Sequence, residues 1–350
     1  MNERIGVGVI GVGILGTRHA RVYSEQPNAR LVALATSHPS KVQDMAERLG
    51  ARLFSDYREM LSTLGPAGTG ELEAVSVATP DFDHFDPVCA ALEAGVDVFA
   101  EKPLVMSSAE ARSLVALARE KSRILIVNYS QRWLPEHRQI EDSIRKGIFG
   151  EVAFVQAHRW DAAWVPEKMI PWADRSTPVH FMSSHDIDLI LNWLEDRVKS
   201  VSAFSHHGAL AAQKGLTGTG DGFSVLLQLQ RSAVVSLHSS WILPSTFPTA
   251  ADSSLEILGS KSSVFLSGSG REMRFYGEDR TERVTYGGPA TAAEVQGRLE
   301  GAFTKSLQAF LDAVEKRDLD TPTSAARTIH VVEVQEAIMK AAASGEIVRL

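Results

Sequence analysis

Three glycines, Gly11, Gly13 and Gly16, follow the apolar run Ile5–Ile10 in the pattern G-x-G-x-x-G. A helical stretch begins directly after them, and no other feature restricts the fold so tightly. The same spacing occurs earlier at Gly6, Gly8 and Gly11, but only the later copy follows a full strand and opens a helix. In such a turn the first glycine reverses the chain and the second lets a pyrophosphate approach the backbone. The third lets helix and strand pack closely, and the helix N-terminus receives the phosphates. Gly11, Gly13, Ile14, Leu15 and Gly16 therefore read as the dinucleotide turn of a βαβ unit.

The surrounding chain agrees. Continuous apolar runs at 5–10, 31–35, 52–54, 74–78, 96–100 and 124–128 alternate with helical stretches near 14–27, 39–49, 56–64, 83–94 and 107–121. Apolar strands that each lead into a helix predict a parallel sheet covered on both faces, the doubly wound architecture. Beyond a helix near 135–146 the pattern changes. A strand at 151–158 and a helix at 181–193 precede strands at 200–205, 223–230, 234–241, 254–258, 262–266, 273–276 and 283–286. Short turns between strands, such as Arg231-Ser232, predict an antiparallel sheet. Helices near 303–317 and 324–343 follow, and 210–222 reads as a flexible loop. The expected division is a Rossmann domain at 1–125 and an α/β domain at 126–350.

Composition narrows the function classes. Of the 350 residues 44% are hydrophobic and 23% charged, as in ordinary soluble proteins. The formal charge of −7 supplies no electrostatic footprint for nucleic acid or an anionic membrane. Residues 5–15 resemble the apolar part of a signal peptide, but they are rich in glycine and lack a cleavage pattern. No run of 18 apolar residues exists, and the sole cysteine is Cys89, so a cytoplasmic protein is expected.

Chemistry-bearing residues cluster at strand ends, where ligands of such sheets bind. Twenty residues past Gly16, where NAD-preferring proteins place a carboxylate, stands Thr36, followed by Ser37 and Lys41. Hydroxyls and a cation there suit a 2′-phosphate, which favours NADP over NAD; alternatively the loop is merely polar. Thr79-Pro80 with His84, and Glu101-Lys102-Pro103, end the fourth and fifth strands and are expected at the nicotinamide half. Arg132 suits an acidic substituent of a substrate, or a structural role. Trp172, near Trp160 and Trp164, suits stacking on a sugar ring, or packing. His206-His207 sit beside a loop with no carboxylate at ligand spacing, so no metal is expected.

The ordered set GVGILG at 11–16, TPDFDH at 79–84, ALEAGVDVFAEKPL at 91–104, YSQRWLPEHRQI at 129–140 and SHDIDLILNWL at 184–194 resembles the Gfo/Idh/MocA oxidoreductase family. The resemblance implies a Rossmann domain and a C-terminal α/β domain with a large open antiparallel sheet. It also implies a homodimer or homotetramer formed through that sheet. The implied activity is hydride transfer between NAD(P) and a hydroxyl-bearing carbon of a sugar, sugar acid or cyclitol. Lys102 and His185 take the catalytic positions. The family usually carries an aspartate four residues before the helix histidine, whereas this chain has Phe181. On a regular helix Phe181, His185 and Asp188 share one face, and His180 lies off it. Two alternatives stay open: a dinucleotide-binding sensor without turnover, and an NAD-dependent glycoside hydrolase of the same fold.

Overall fold

The computed structural model describes residues 4–231, 233–268, 271–277, 281–286 and 293–350. The chain divides into two units, Met1–Trp133 with Pro289–Ile329, and Leu134–Gly288 with His330–Leu350. The sequence placed a single boundary near residue 125; the chain instead passes between units three times.

The first unit opens with β1 (Ile5–Ile10), α1 (Ile14–Glu25), β2 (Ala29–Ala35), α2 (Gln43–Leu49), β3 (Arg52–Phe54) and α3 (Tyr57–Leu64). It continues with β4 (Ala74–Val77), α4 (Phe85–Glu93), β5 (Asp97–Ala100), α5 (Ser108–Glu120) and β6 (Leu125–Val127). The six strands run parallel in the order β3-β2-β1-β4-β5-β6. That order reverses direction between β1 and β4, where doubly wound sheets bind their ligands. Every residue of β1, β4, β5 and β6 is buried, which is why these strands read as unbroken apolar runs. Helix starts follow local chemistry: the Asp56 side chain accepts from the Arg58 N–H at 2.8 Å to open α3.

The second unit begins with α6 (Pro135–Arg145), β7 (Val152–Ala162), α7 (Ser184–Leu194), β8 (Val198–His206) and α8 (Ala209–Lys214). Then come β9 (Gly222–Leu229), β10 (Val234–Leu243), β11 (Ala251–Gly259), β12 (Ser262–Ser267), β13 (Glu272–Gly277) and β14 (Thr281–Thr285). The chain returns to the first unit with β15 (Ala293–Val295), β16 (Arg298–Glu300) and α9 (Ala302–Lys316). It ends with α10 (Ala325–Ser344) and β17 (Val348–Arg349), the latter paired with β8.

Among the described residues the second sheet has nine strands, ordered β14-β13-β12-β11-β7-β10-β9-β8-β17. All pairs are antiparallel except β7 with β10 at the centre. Parallel neighbours need a long connection, and here α7, β8 and β9 intervene. The stretch expected as a loop at 210–222 holds most of α8. Asp221 caps this helix by accepting from the N–H groups of Ala209 and Leu210, both at 2.8 Å. Ser232, in the expected tight turn, lies outside the described residues.

Helix α9 explains the interleaved units. Phe303, Leu307, Phe310, Leu311 and Val314 recur at helical spacing and join one buried cluster with Tyr23, Leu34 and Phe99. Burying each large apolar side chain stabilises by roughly 1.5–3 kcal/mol, enough to commit this late helix to the first unit.

Candidate functional site

In the first unit the three turn glycines do three different things. Gly11 has φ +84°, and a Cβ on it would stand 2.6 Å from the Thr79 nitrogen, so β1 and the end of β4 meet there. A Cβ on Gly16 would lie 1.9 Å from the Gly11 carbonyl oxygen, so α1 sits tight against the turn. A Cβ on Gly13 would meet nothing within 4 Å. The protein itself thus requires glycine at 11 and 16, whereas at 13 the space beside the backbone is open. Gly13 precedes α1, whose first turn has no side-chain cap and no acidic residue, leaving its N–H groups to an anion. Ile14 is exposed at the first helical position, while Leu15 packs partly against the core. These features fit a dinucleotide pyrophosphate.

The loop after β2 is polar and open. Thr36 is half-buried, its Oγ1 accepting from the His38 N–H at 3.2 Å. Ser37 and Lys41 are exposed, with Ser37 Oγ 2.9 Å from His38 Nδ1. His38 adds an imidazole that the sequence argument left aside.

Beyond β4, Thr79 is half-buried and its hydroxyl donates to the Asp83 carbonyl at 2.8 Å. Pro80 follows, also half-buried. His84 behaves differently from the expectation that it faces a cofactor. It is 1% exposed, with Nδ1 2.8 Å from the Pro103 carbonyl and Nε2 2.9 Å from the Thr79 carbonyl. Neither carbonyl can donate, so the ring ties the loops after β4 and β5 together through both contacts only with a proton on each nitrogen, and through one of them otherwise.

Glu101 is buried at the end of β5. Its Oε1 accepts from His19 Nε2 at 2.8 Å and from Asn128 Nδ2 at 2.7 Å, and its Oε2 accepts from the Lys102 N–H at 3.3 Å. Burial pushes the carboxyl up, but the hydrogen bond and charge of His19, the Asn128 amide and the charge of Lys102 outweigh it. The group is held below the usual carboxylate range. The chain of contacts continues from His19 Nδ1 to Ser76 Oγ at 2.9 Å and from Ser76 to the Tyr23 hydroxyl at 2.6 Å. Burial raises the Tyr23 phenol well above its ordinary range, keeping it protonated as a donor. On the far side Ser306 Oγ donates to Asn128 Oδ1 at 2.8 Å. Lys102, half-buried and joined to Pro103 by a cis peptide, follows this network directly.

His19, Ser76 and Asn128 escaped the sequence reading. A serine inside the buried strand AVSV and a histidine on the inward side of α1 were the available signals, because buried polar groups need partners. Arg132, offered for an acidic substituent, is 8% exposed and donates through Nη1 to the Pro322 carbonyl at 2.8 Å, a structural contact.

In the second unit a π-helical turn, Val179–Ser183, runs into α7. The regular helix expected from 181 therefore begins three residues later. His185 is half-buried on the first turn of α7, and Asp188 is buried. Phe181 and Trp172 both pack against an apolar cluster that includes Ile170, Met182 and Trp241, and the Phe181 and Trp241 rings meet edge to face at 5.9 Å. His180 is buried, with Nδ1 2.9 Å from Thr177 Oγ1. The neighbour of His185, Asp186, receives two hydrogen bonds from Arg159 on β7, at 2.7 and 3.1 Å. Burial would lower the Arg159 guanidinium, yet Asp186, with Asp161, raises it, and the two hydrogen bonds pin α7 to the sheet. Among the described residues no three His, Cys, Asp or Glu side chains are grouped for a metal.

Two family models match the chain. One, described as an oxidoreductase family with an NAD-binding Rossmann fold, matches residues 5–129. The other, the C-terminal alpha/beta domain of the same oxidoreductase family, matches residues 141–350. An inositol 2-dehydrogenase of Rhizobium meliloti (strain 1021) is 25% identical over 310 residues, covering 88% of each chain. An inositol 2-dehydrogenase of Rubrobacter xylanophilus is 30% identical over 202 residues, which span 57% of this chain and 55% of that protein. The crystal structure of an inositol dehydrogenase homolog from Azotobacter vinelandii, complexed with NADH and myo-inositol, shares the fold. Its TM-score is 0.84 at 21% identity, over 100% of this chain and 98% of that one.

Proposed function

The chain belongs to the Gfo/Idh/MocA oxidoreductase family, and from that premise we propose that it is an NAD(P)-dependent dehydrogenase. Its substrate class is a hydroxyl-bearing carbon of a sugar, sugar acid or cyclitol, in keeping with the names of its relatives. The observation that carries the reading is the glycine turn, closed by the protein at Gly11 and Gly16 and open at Gly13.

Gly11, Gly13, Ile14 and Gly16, with the first N–H groups of α1, would hold the pyrophosphate. Thr36, Ser37 and Lys41 would receive the adenosine ribose, and with no carboxylate there NADP(H) binds at least as tightly as NAD(H). Thr79, Pro80 and Lys102, which follow β4 and β5, would flank the nicotinamide. When bound, the nicotinamide supplies hydride transfer. The chain's own part is to orient the substrate and manage its hydroxyl proton. Lys102 offers a cationic donor to the hydroxyl oxygen, and His185 offers an imidazole nitrogen to accept the proton in the oxidative direction. Phe181 and Trp172 offer apolar surface to a ring. Copies of the chain pair through the outer face of the nine-stranded sheet.

The test is a panel of sugars, sugar acids and cyclitols, each with NAD and NADP, followed by reduced-nicotinamide absorbance. We expect a net absorbance change with at least one substrate, with NADP no more than about tenfold (roughly 1.4 kcal/mol) weaker than NAD. Lys102→Met, which keeps length but deletes charge and donors, should remove most turnover while dinucleotide still binds. Product without net absorbance change would favour the hydrolase. Dinucleotide binding without any turnover would favour the sensor, for which Phe181 in place of a carboxylate is the one suggestive residue.

A further inference from the structure

Lys102 is anchored through both of its chain neighbours, and each anchor is a histidine. On one side Glu101 is held through Oε1 by His19 and Asn128, and through Oε2 by the Lys102 N–H. On the other, the Pro103 carbonyl lies 2.8 Å from His84, whose second ring nitrogen is 2.9 Å from the Thr79 carbonyl. We propose that His19 and His84 are positioning residues for Lys102: one locks the residue before it to α1, the other locks the residue after it to the loop beyond β4.

The two rings join elements that are distant in the chain. His19 lies on the helix that the glycine turn opens, so its bond to Glu101 couples the end of β5 to the phosphate-binding helix. Buried side chains with every hydrogen-bonding atom engaged have few alternative placements, and a lysine backbone fixed at both neighbours has little freedom left. His19 is also fixed from behind, by the Ser76 and Tyr23 hydroxyls. A displacement of about 1 Å in a catalytic group can cost on the order of 100-fold in rate, so such anchors govern turnover without touching substrate.

The inference uses the proposed dehydrogenase only in its kinetic arm. The deciding arm needs no substrate: lysines of the full chain are reductively methylated with 13C, and the Lys102 resonance is assigned by its loss in Lys102→Arg. We expect His19→Leu and His84→Leu each to shift or broaden that resonance in folded protein. His19→Gln, whose amide can still donate to Glu101, should return it toward the parental position. On an active substrate, His19→Leu should lower kcat by about 100-fold with dinucleotide affinity retained. If His19→Leu does not fold, Asn128→Leu removes the other donor to Glu101 and is read in the same way. A Lys102 resonance unchanged in folded His19→Leu (or Asn128→Leu) and His84→Leu overturns the proposal. A protein inactive on every sugar counts against the dehydrogenase, while the resonance still decides this inference.

Discussion

Gly13 and Gly16 stand in one motif, yet they should fail in opposite ways. An alanine methyl at 16 would sit 1.9 Å from the Gly11 oxygen, a backbone atom that cannot rotate away. Gly16→Ala should therefore destabilise the protein by about 1–3 kcal/mol or more, as overpacking does, visible as a lower denaturation midpoint. At 13 there is open space, so Gly13→Ala should leave the midpoint near the parental value and weaken dinucleotide binding by calorimetry. Equal affinity in Gly13→Ala and parent would show that nothing approaches this backbone. The glycines were legible because a backbone demand writes itself into a fixed spacing. His19 was not. Its partners lie 57 and 82 residues away, and no local pattern announces a contact at that separation.

Elements show where periodicity stops being a guide. The stretch before His185 has helical spacing, but the chain takes a π-helical turn over Val179–Ser183. Such a turn accommodates one extra residue per turn and often marks a functional site. The expectation that Phe181, His185 and Asp188 share one face assumed a regular helix, and the π turn removes that assumption for Phe181 and His180 alike. The choice of π over α geometry depends on tertiary packing, which residue types do not encode locally. Another element-level joint makes a pH prediction. On α10, His330 Nε2 accepts from the Val198 N–H at 2.9 Å, and Nδ1 faces Glu333 Oε2 at 2.7 Å. This pattern requires a neutral ring, and burial, chiefly, holds the imidazole below its ordinary value of 6.5 despite Glu333. The unfolded chain therefore takes up a proton first as pH falls through about 6.5, so this stabilisation is full above that pH and declines below it. Urea unfolding at a series of pH values should show the decline in the parent and a flatter curve in His330→Gln. Parallel curves would remove His330 from the account.

At the scale of the molecule, the sequence was sufficient for the class of each sheet and insufficient for two features that depend on distant chain. The return of α9 to the first unit is decided by apolar packing on Phe99 and its neighbours. The parallel pairing of β7 with β10 is decided by everything between them. Register nevertheless makes the outer face of the nine-stranded sheet readable. Phe154 stands opposite Val234 and Leu258, Leu226 opposite Ser236 and Ser202, and Phe204 opposite Ser224. Directly paired residues point the same way, and Val234 and Ser236 are two apart on β10, so all of these side chains share one face. The opposite face holds Val155, Ala157, Val201, Leu227 and Leu237, all buried. On the outer face Phe204, Phe154 and Leu226 are 68%, 56% and 54% exposed, and Tyr276 is 43% exposed. Monomers rarely leave clustered large apolar side chains in water, and a second copy is the proposed cover. In a two-fold interface each residue is presented twice, so one substitution introduces two charges. Leu226→Lys should therefore reduce the mass in sedimentation equilibrium to that of a single chain, with the unfolding of the chain itself unaltered, since Leu226 leaves the buried face untouched. A parent that sediments as one chain at micromolar concentration, or a Leu226→Lys protein that keeps the parental mass, would show that this face is not where copies meet.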